Sequence, residues 1–213
     1  MIITTIIAII KEEYIIYLMK GVFHMNIQEA IQTRRSIPLV TDKAIPTELI
    51  EQVIEAATYA PNHYRTEPWR FFVLTGEGRV KLGNVFGEIM KSRQDDPQSE
   101  DSIKKIKRIQ NNPLRSPVII AVGVEPSDNN NVLLKEEYGA VSAAVQNMLL
   151  TAHAIGLGAI WRTGNICYNP KVSEFFGLSE QGEIAAFIYL GYPDMEPKPK
   201  KITHHKELST WID

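Results

Sequence analysis

Positions 34–36 bring two guanidinium groups and a hydroxyl together, in Arg34, Arg35 and Ser36, at the predicted end of a helix. A guanidinium is a planar fork of N–H donors that suits the oxygen atoms of a phosphate. Two or three such charge-assisted hydrogen bonds, at about 1.5–3 kcal/mol each, would supply much of the affinity for a mononucleotide. Cations are also common at helix C-termini, where the helix dipole favours them, so this segment alone leaves both interpretations open.

A second candidate segment, residues 60–71, reads APNHYRTEPWRF and lies between a predicted helix and a predicted buried strand. Loops that are held by a rigid scaffold often carry binding residues. An ordinary helix-to-strand connection would explain Pro68 and a core Trp69. It would not explain the density of polar donors at Asn62, His63, Tyr64 and Arg65.

A third segment, GLGAIWRTG at residues 156–164, reads as a strand that ends in polar donors. Gly156 and Gly158 would permit close approach of another backbone. A tight turn with an exposed Arg162 is the alternative interpretation. The fourth element is the tail, where Lys200 and Lys201 are either ligands of an anion or simply solvated side chains.

Several common catalytic and binding signatures are missing from the sequence. There is no dinucleotide-binding glycine motif after a strand, no P-loop and no serine-hydrolase motif. The histidines lack the cysteine or carboxylate spacing of a zinc site, so no metal is predicted. Cys167 is the single cysteine, which excludes an intrachain disulfide, and it is more typical of a small packing residue than of a nucleophile.

The composition is that of an ordinary globular protein. The 213 residues include 23 Lys and Arg against 25 Asp and Glu, and the formal net charge is −2. A chain with this balance lacks the basic charge of a dedicated nucleic-acid binder, and no nucleic-acid partner is predicted. The single thiol is compatible with a reducing compartment, so we expect a cytoplasmic protein.

Residues 1–24 are more apolar than the rest of the chain. Lys11, Glu12 and Glu13 interrupt the apolar run, which argues against a membrane span. Neither a positively charged start nor a small-residue cleavage site indicates a secretion signal. We interpret residues 1–24 as an atypical extension, or as an upstream start ahead of Met25, and residues 25–213 as one domain.

Periodicity and turn residues predict helices interspersed with strands at uneven spacing, which indicates a single α+β domain. The polar stretch 92–101 is predicted to be an exposed loop or lid. The predicted helices span 26–35, 47–60, 77–91, 132–155 and 170–176, and the predicted strands span 70–75, 118–124, 156–161 and 183–190.

In this order, the segments at 34–36, 60–71 and 156–164 and the lysine-rich tail resemble the nitroreductase family of FMN-dependent oxidoreductases, in particular its minimal members. The resemblance spans residues 25–213. It implies an α+β fold with a central, mostly antiparallel sheet flanked by helices. It also implies an obligate homodimer with two FMN molecules at the subunit interface.

The resemblance assigns a role to each matching position. Arg34 and Ser36, helped by Arg35, would hold the FMN phosphate and ribityl chain, and Lys200 or Lys201 would complete the phosphate site. Three residues of the partner subunit would lie along the isoalloxazine, namely Pro61, Asn62 and His63. The other side or edge of the ring would be contacted by Trp161, Arg162, Thr163 and Gly164.

Two departures from the family pattern concern the flavin edge. Pro38 stands where the family often has a basic residue, and proline has no N–H to donate. Arg65 and Glu67 stand where the family usually has Asn and Gln. Arg162 or Arg65 is therefore the candidate for stabilising negative charge near flavin N1 and the C2 carbonyl.

The implied activity is a ping-pong cycle in which NADH or NADPH reduces the flavin at N5. A nitroaromatic, a quinone or a similar electron-poor compound would then be reduced over the same face. Since the flavin carries the reactive atom, no side chain is assigned as an obligate catalytic acid or base. Two alternatives stay open: a flavin storage or sensor protein without turnover, and a specialised reductase, dehalogenase or dehydrogenase on the same fold.

The predicted helix 132–155 provides a separate argument for a dimer. Its apolar residues cover more than the single face that packing in one protomer would bury, and it carries small residues that would allow a second helix to approach closely. The alternative is a central core helix of a monomer. The small residues are Gly139, Ala140, Ser142, Ala143 and Ala144.

Overall fold

A four-stranded antiparallel sheet forms the centre of the computed structural model, which describes residues 25–213. Its strands are β1 (Trp69–Leu74), β2 (Val118–Val124), β3 (Gly158–Arg162) and β4 (Glu183–Gly191). They lie in the order β1-β2-β4-β3, and every neighbouring pair is antiparallel. The predicted extension 1–24 lies outside the described residues.

Six α-helices and two short 3-10 helices surround this sheet in the described part of the chain. The 3-10 helices are Asn112–Arg115 and His205–Glu207. No helix within residues 25–213 is both long and apolar enough to cross a bilayer. The α-helices are α1 (Ile27–Thr33), α2 (Thr47–Thr58), α3 (Gly76–Lys91), α4 (Glu100–Gln110), α5 (Leu134–Ala154) and α6 (Pro170–Phe175).

The two faces of the sheet bury two separate hydrophobic clusters. Alternate residues of β2 point to opposite faces, so that Ile120 belongs to one cluster and Ile119 to the other. α2 and α5 cover the first face, where Val53 and Met148 are fully buried. Because both central strands are covered on both sides, β2 reads as an unbroken apolar run.

The second face is covered by α3 and α6. Leu82, Phe86 and Ile89 of α3 pack there against Phe187 of β4. α4 lies outside α3 and contacts it closely, with Gln110 against the glycines of α3. The architecture confirms the predicted α+β fold with an antiparallel sheet flanked by helices.

α4 is the main departure from the predicted elements. The predicted loop 92–101 is correct as far as Ser99, which is the N-cap of α4 and accepts a hydrogen bond from the N–H of Ser102 at 3.3 Å. The helix then continues to Gln110. Acidic residues in its first turn and basic residues in its last turn complement the helix dipole, a signal that the polar composition of the stretch obscures.

Two glycines of α3 make a matched pair for testing the α3–α4 contact. A Cβ on Gly83 would lie 2.3 Å from the carbonyl oxygen of Gln110, whereas a Cβ on Gly87 would meet only side-chain atoms of Gln110 at 3.5 Å. We expect Gly83→Ala to lower the free energy of unfolding by about 1–3 kcal/mol, because backbone must move. Gly87→Ala should be neutral or stabilise by up to about 1 kcal/mol through helix propensity.

Thermal unfolding of the two variants beside the wild-type protein measures this difference. Equal melting temperatures for Gly83→Ala and Gly87→Ala would show that α4 does not pack on α3 as described.

Candidate functional site

The segment that carries the arginine pair runs along the outer edge of β3. The N–H of Ile37 donates to the carbonyl of Ala159 at 3.0 Å, which ties residues 34–37 to this edge strand. A Cβ on Gly158 would lie 2.9 Å from Cγ2 of Ile37, so a close neighbour does require glycine here, but that neighbour is a side chain and not the predicted backbone. Gly156 has a different reason to be glycine, because its φ of +81° lies in the left-handed region.

Arg34 and Arg35 form a positively charged cluster at this edge. Both side chains are half-buried, and Arg35 donates from Nη1 to the carbonyls of Gln32 and Arg34 at 2.8 and 2.9 Å. Burial, and then the charge of Arg35, lowers the pKa of Arg34 from its usual value. Among the described residues, neither arginine forms an ion pair with a carboxylate. The cluster therefore suits an anion supplied from outside the protomer.

His153, near the end of α5, is a neighbour of the arginine pair that no sequence motif indicates. Its Nε2 lies 2.8 Å from Oγ1 of Thr33, and this hydroxyl also contacts the carbonyl of Glu29 at 2.6 Å. Since a carbonyl only accepts, the single hydroxyl proton goes to Glu29, and His153 donates from Nε2 to Thr33. Burial, followed by the charges of Arg34 and Arg35, lowers the pKa of His153.

The C-terminal tail reaches the same cluster. A cavity of about 440 Å³ is lined by Arg35 and His153 on one side and by Met195, Glu196 and Pro197 of the tail on another. The predicted tail lysines follow shortly after Pro197 as exposed side chains. They are Lys200 and Lys201.

The loop 60–68 is built around the side chain of Asn62. Its Oδ1 accepts a hydrogen bond from the backbone N–H of Glu67 at 2.9 Å. Because a backbone N–H can only donate, this contact fixes the orientation of the amide, and the NH2 group of Asn62 faces away from the Glu67 N–H. Next to it, Nδ1 of His63 lies 2.9 Å from Oε2 of Glu136, in the first turn of α5. Pro61 precedes Asn62 as an exposed residue.

The arginine cluster and the loop 60–68 lie at opposite ends of α5. Glu136, which contacts His63, and His153, which contacts Thr33, are separated by about 25 Å along the helix at 1.5 Å per residue. Within one protomer, the structure therefore places the first predicted segment against the strand of the third, and it separates the arginine cluster from the loop 60–68 by the length of α5.

The end of β3 presents its residues in two directions. Trp161 is 37 % exposed, whereas the guanidinium of Arg162 lies 5.1 Å from the ring centre of Tyr189 on the opposite face. Nε of Arg162 is buried without a hydrogen-bond partner among the described residues. Burial raises the pKa of Tyr189 to about 12, so this phenol stays neutral beneath the cation. Thr163 and Gly164 follow as exposed residues.

The turn between α3 and α4 borders the loop after β3. Arg93 donates from Nη2 to the carbonyl of Asn165 at 3.2 Å. Residues 92–99 therefore lie beside the chain that follows Gly164.

Cys167 is a packing residue of the second hydrophobic cluster. It is fully buried, and its Sγ lies 3.3 Å from the carbonyl of Ile184. Burial raises the pKa of the Cys167 thiol to about 12, which keeps it protonated at neutral pH. Within residues 25–213, no group of three or more His, Cys, Asp or Glu residues is arranged to hold a metal ion.

Known proteins share this architecture and this order of segments. The model of the Nitroreductase family matches residues 31–192, a range that includes all the predicted site residues except the two tail lysines. A Bacillus subtilis protein, provisionally named NAD(P)H nitroreductase YfhC, is 35% identical over 188 residues, which cover 88% of this chain and 94% of that protein.

Two solved structures show the same fold. A nitroreductase-like family protein from Bacillus cereus is 32% identical, with a TM-score of 0.77, covering 89% of this chain and 97% of that one. A protein from Desulfovibrio desulfuricans, provisionally described as a nitroreductase in complex with FMN, is 25% identical with a TM-score of 0.64. It covers 89% of this chain and 99% of that one.

The lowered pKa of His153 predicts a pH dependence of stability. The unfolded chain, in which histidine titrates near 6.5, takes up the proton before the folded protein does. The stabilisation is therefore present above about pH 6.5 and is lost as the pH falls toward the lowered folded value. We expect the unfolding free energy of the wild-type protein to fall more between pH 7.5 and 5.5 than that of His153→Gln.

Denaturant titrations at the two pH values measure this difference, with His204→Gln, an exposed histidine, as the control. Equal pH dependence in His153→Gln and the wild-type protein would contradict the placement of His153 beside the arginines.

Proposed function

The chain belongs to the nitroreductase family, and on this basis we propose that it is an FMN-dependent NAD(P)H oxidoreductase acting on nitroaromatic, quinone or similar electron-poor compounds. The observation that carries the proposal is the pair Arg34 and Arg35, half-buried without a carboxylate partner among the described residues. Two adjacent guanidinium groups repel each other, and a nearby anion would offset this repulsion.

The residues around the pair fit a phosphorylated flavin. Arg34 and Arg35 would bind the phosphate with the exposed hydroxyl of Ser36, and the tail beyond Pro197 would supply Lys200 or Lys201. The guanidinium of Arg162 lies over Tyr189 and has no ion-pair partner among the described residues, so its charge is available to the ring system. These uncompensated positive charges favour an anionic ligand that is rich in hydrogen-bond acceptors.

When bound, FMN would accept a hydride from NADH or NADPH at N5 and pass it to the acceptor in a separate half-reaction. The fixed cation of Arg162 would stabilise the negative charge that develops on the reduced ring. The outward NH2 group of Asn62 would donate to an acceptor edge of the ring. Trp161, Thr163 and Gly164 would line the ring from the end of β3.

The separation of the two halves of the site supports a homodimer. Asn62 and His63 are too far from Arg34 in one protomer to contact the same mononucleotide. Two copies that cross antiparallel at α5 would bring the loop 60–68 of one copy to the arginine cluster of the other.

The exposed face of α5 supports this arrangement. Gly139 and Ser142 lie on it, and apart from its chain neighbours and the backbone of its own helix, no described atom lies within 4 Å of a Cβ placed on Gly139. The small residues of this helix divide between two roles, because Ala140 and Ala144 are buried in the protomer core. Small exposed residues let a second helix approach closely.

An absorption spectrum of the purified protein, followed by anaerobic addition of NADH or NADPH, tests the function. We expect a yellow protein that bleaches, with steady-state oxidation of the nucleotide in the presence of menadione or a nitroaromatic. A yellow protein without turnover would favour the storage or sensor alternative. Pro38 supports testing that alternative, because it stands where the family often has a basic residue. A protein that takes up no FMN would contradict the proposal.

Replacing Arg34 tests the phosphate site. We expect Arg34→Ala to raise the FMN dissociation constant by about 10- to 100-fold, as one charge-assisted contact is lost. Arg34→Lys should recover only part of the affinity, since lysine lacks the bidentate fork. Quenching of FMN fluorescence measures the affinity, and Arg108→Ala, in the last turn of α4, is the control. Unchanged affinity in Arg34→Ala would remove Arg34 from the site.

A charge on the exposed face of α5 tests the dimer. We expect Ser142→Arg to shift the protein to monomer in light scattering and to lose FMN, without unfolding. Glu88→Arg, at an exposed position of α3 across the sheet, is the control. A Ser142→Arg protein that stays dimeric would show that this face is not the interface.

A further inference from the structure

Three consecutive residues at the start of α5 hold three separate segments of the chain. Glu136 contacts His63 of the loop 60–68, and Tyr138 donates a hydrogen bond to the carboxylate of Glu183 at the start of β4. Between them, Glu137 is 1% exposed, and it is the only buried Asp, Glu, Lys or Arg within residues 25–213. Burying a carboxylate is unfavourable unless strong donors satisfy it, so its partners identify what it holds in place.

The two oxygens of Glu137 bind two different loops. Oε1 accepts a hydrogen bond from the hydroxyl of Thr66 at 2.7 Å, and Oε2 accepts one from the backbone N–H of Ser127 at 2.9 Å. The first partner belongs to the loop 60–68 and the second to the segment between β2 and α5. One buried side chain therefore fixes both segments to the start of α5.

The hydroxyl of Thr66 has one proton and two acceptors within reach. Oε1 of Glu137 lies at 2.7 Å and Oδ1 of Asn62 at 3.3 Å. The nearer and charged acceptor takes the proton. Oδ1 of Asn62 is left to the backbone N–H of Glu67, which sets the direction of the Asn62 amide.

The backbone conformation on both sides of Thr66 is unfavourable, so the loop depends on the hydrogen bond from Thr66 to Glu137. Arg65 and Glu67 have φ values of 54° and 48°, in the left-handed region that residues with a side chain rarely adopt. Two such residues persist only where other contacts hold them. The hydrogen bond from Thr66 to Glu137 lies directly between them.

We propose that Glu137 is a positioning residue that, through Thr66, holds Asn62 and His63 in the orientation that meets the flavin of the partner subunit. The proposal rests on the proposed function, because it assigns that loop to the flavin. Glu137 itself is 1% exposed, so it would not contact the flavin. Its effect is carried by the orientation of the Asn62 amide and by the position of His63 against Glu136.

The variants Thr66→Val and Thr66→Ser distinguish the hydrogen bond between Thr66 and Glu137 from mere packing of the Thr66 side chain. Valine keeps the volume and removes the hydroxyl, whereas serine keeps the hydroxyl. We expect Thr66→Val to raise the FMN dissociation constant about tenfold and to speed hydrogen exchange at the amides of Arg65 and Glu67 about tenfold or more. Thr66→Ser should restore both. Thr58→Val is the matched control, since its hydroxyl bonds only to Glu55 in its own helix.

Glu137→Gln tests whether the loop 60–68 is held by the hydrogen bonds of this side chain or by its negative charge. The amide oxygen would accept from Ser127 and the NH2 group would donate to Thr66, which then has its proton free for Asn62. We therefore expect Glu137→Gln to stay within about threefold of the wild-type protein in FMN affinity, and Glu137→Ala to behave like Thr66→Val.

Wild-type exchange rates and FMN affinity in Thr66→Val would overturn the proposal, and so would a Thr66→Ser protein as defective as Thr66→Val. A wild-type protein that binds no FMN would contradict the proposed function. In that case the exchange rates of the same variants would still show whether Glu137 holds the loop.

Discussion

Burial of α5 against the antiparallel sheet is the constraint on which the rest of the molecule depends. Its core face, with Val141, Val145 and Met148 fully buried, fills the first hydrophobic cluster. The rigid helix then holds the loop 60–68 at one end and the arginine cluster at the other. Because a helix cannot shorten, it keeps the two predicted parts of the site about 25 Å apart within a protomer.

The two ends of α5 differ in whether their charged side chains have partners within the protomer. At the start of the helix, the carboxylate of Glu137 has two donors, and His63 has Glu136 as its partner. At the other end, Arg34 and Arg35 lie beside a histidine whose pKa is lowered, and neither arginine forms an ion pair with a carboxylate of the described residues. The polar groups at the start of α5 therefore satisfy one another, whereas the positive charge near its end is not neutralised by an ion pair within the described residues. This asymmetry is the physical basis of the proposed flavin site.

The predicted elements were accurate where local chemistry decides the structure. Asn26 caps α1 as its residue type predicts, and the apolar run of β2 is a strand buried on both faces. α4 was missed because its charged surface has the composition of a loop. The reason for glycine at position 156 was also misjudged, since a backbone angle, which local sequence does not reveal, requires it there.

The residue types, their order and their spacing were enough to determine the fold class and the family, and they predict an anion site at the arginine pair. Local sequence patterns do not show which helix faces and helix ends contact each other. The contacts of Thr66 with Glu137 and of Thr33 with His153, for example, join residues that are far apart along the chain. Only the tertiary structure decided that Arg162 lies over Tyr189 while Trp161 faces the other side of β3. Strand alternation fixes that these two neighbours point apart, but packing of the helices determines what each of them meets.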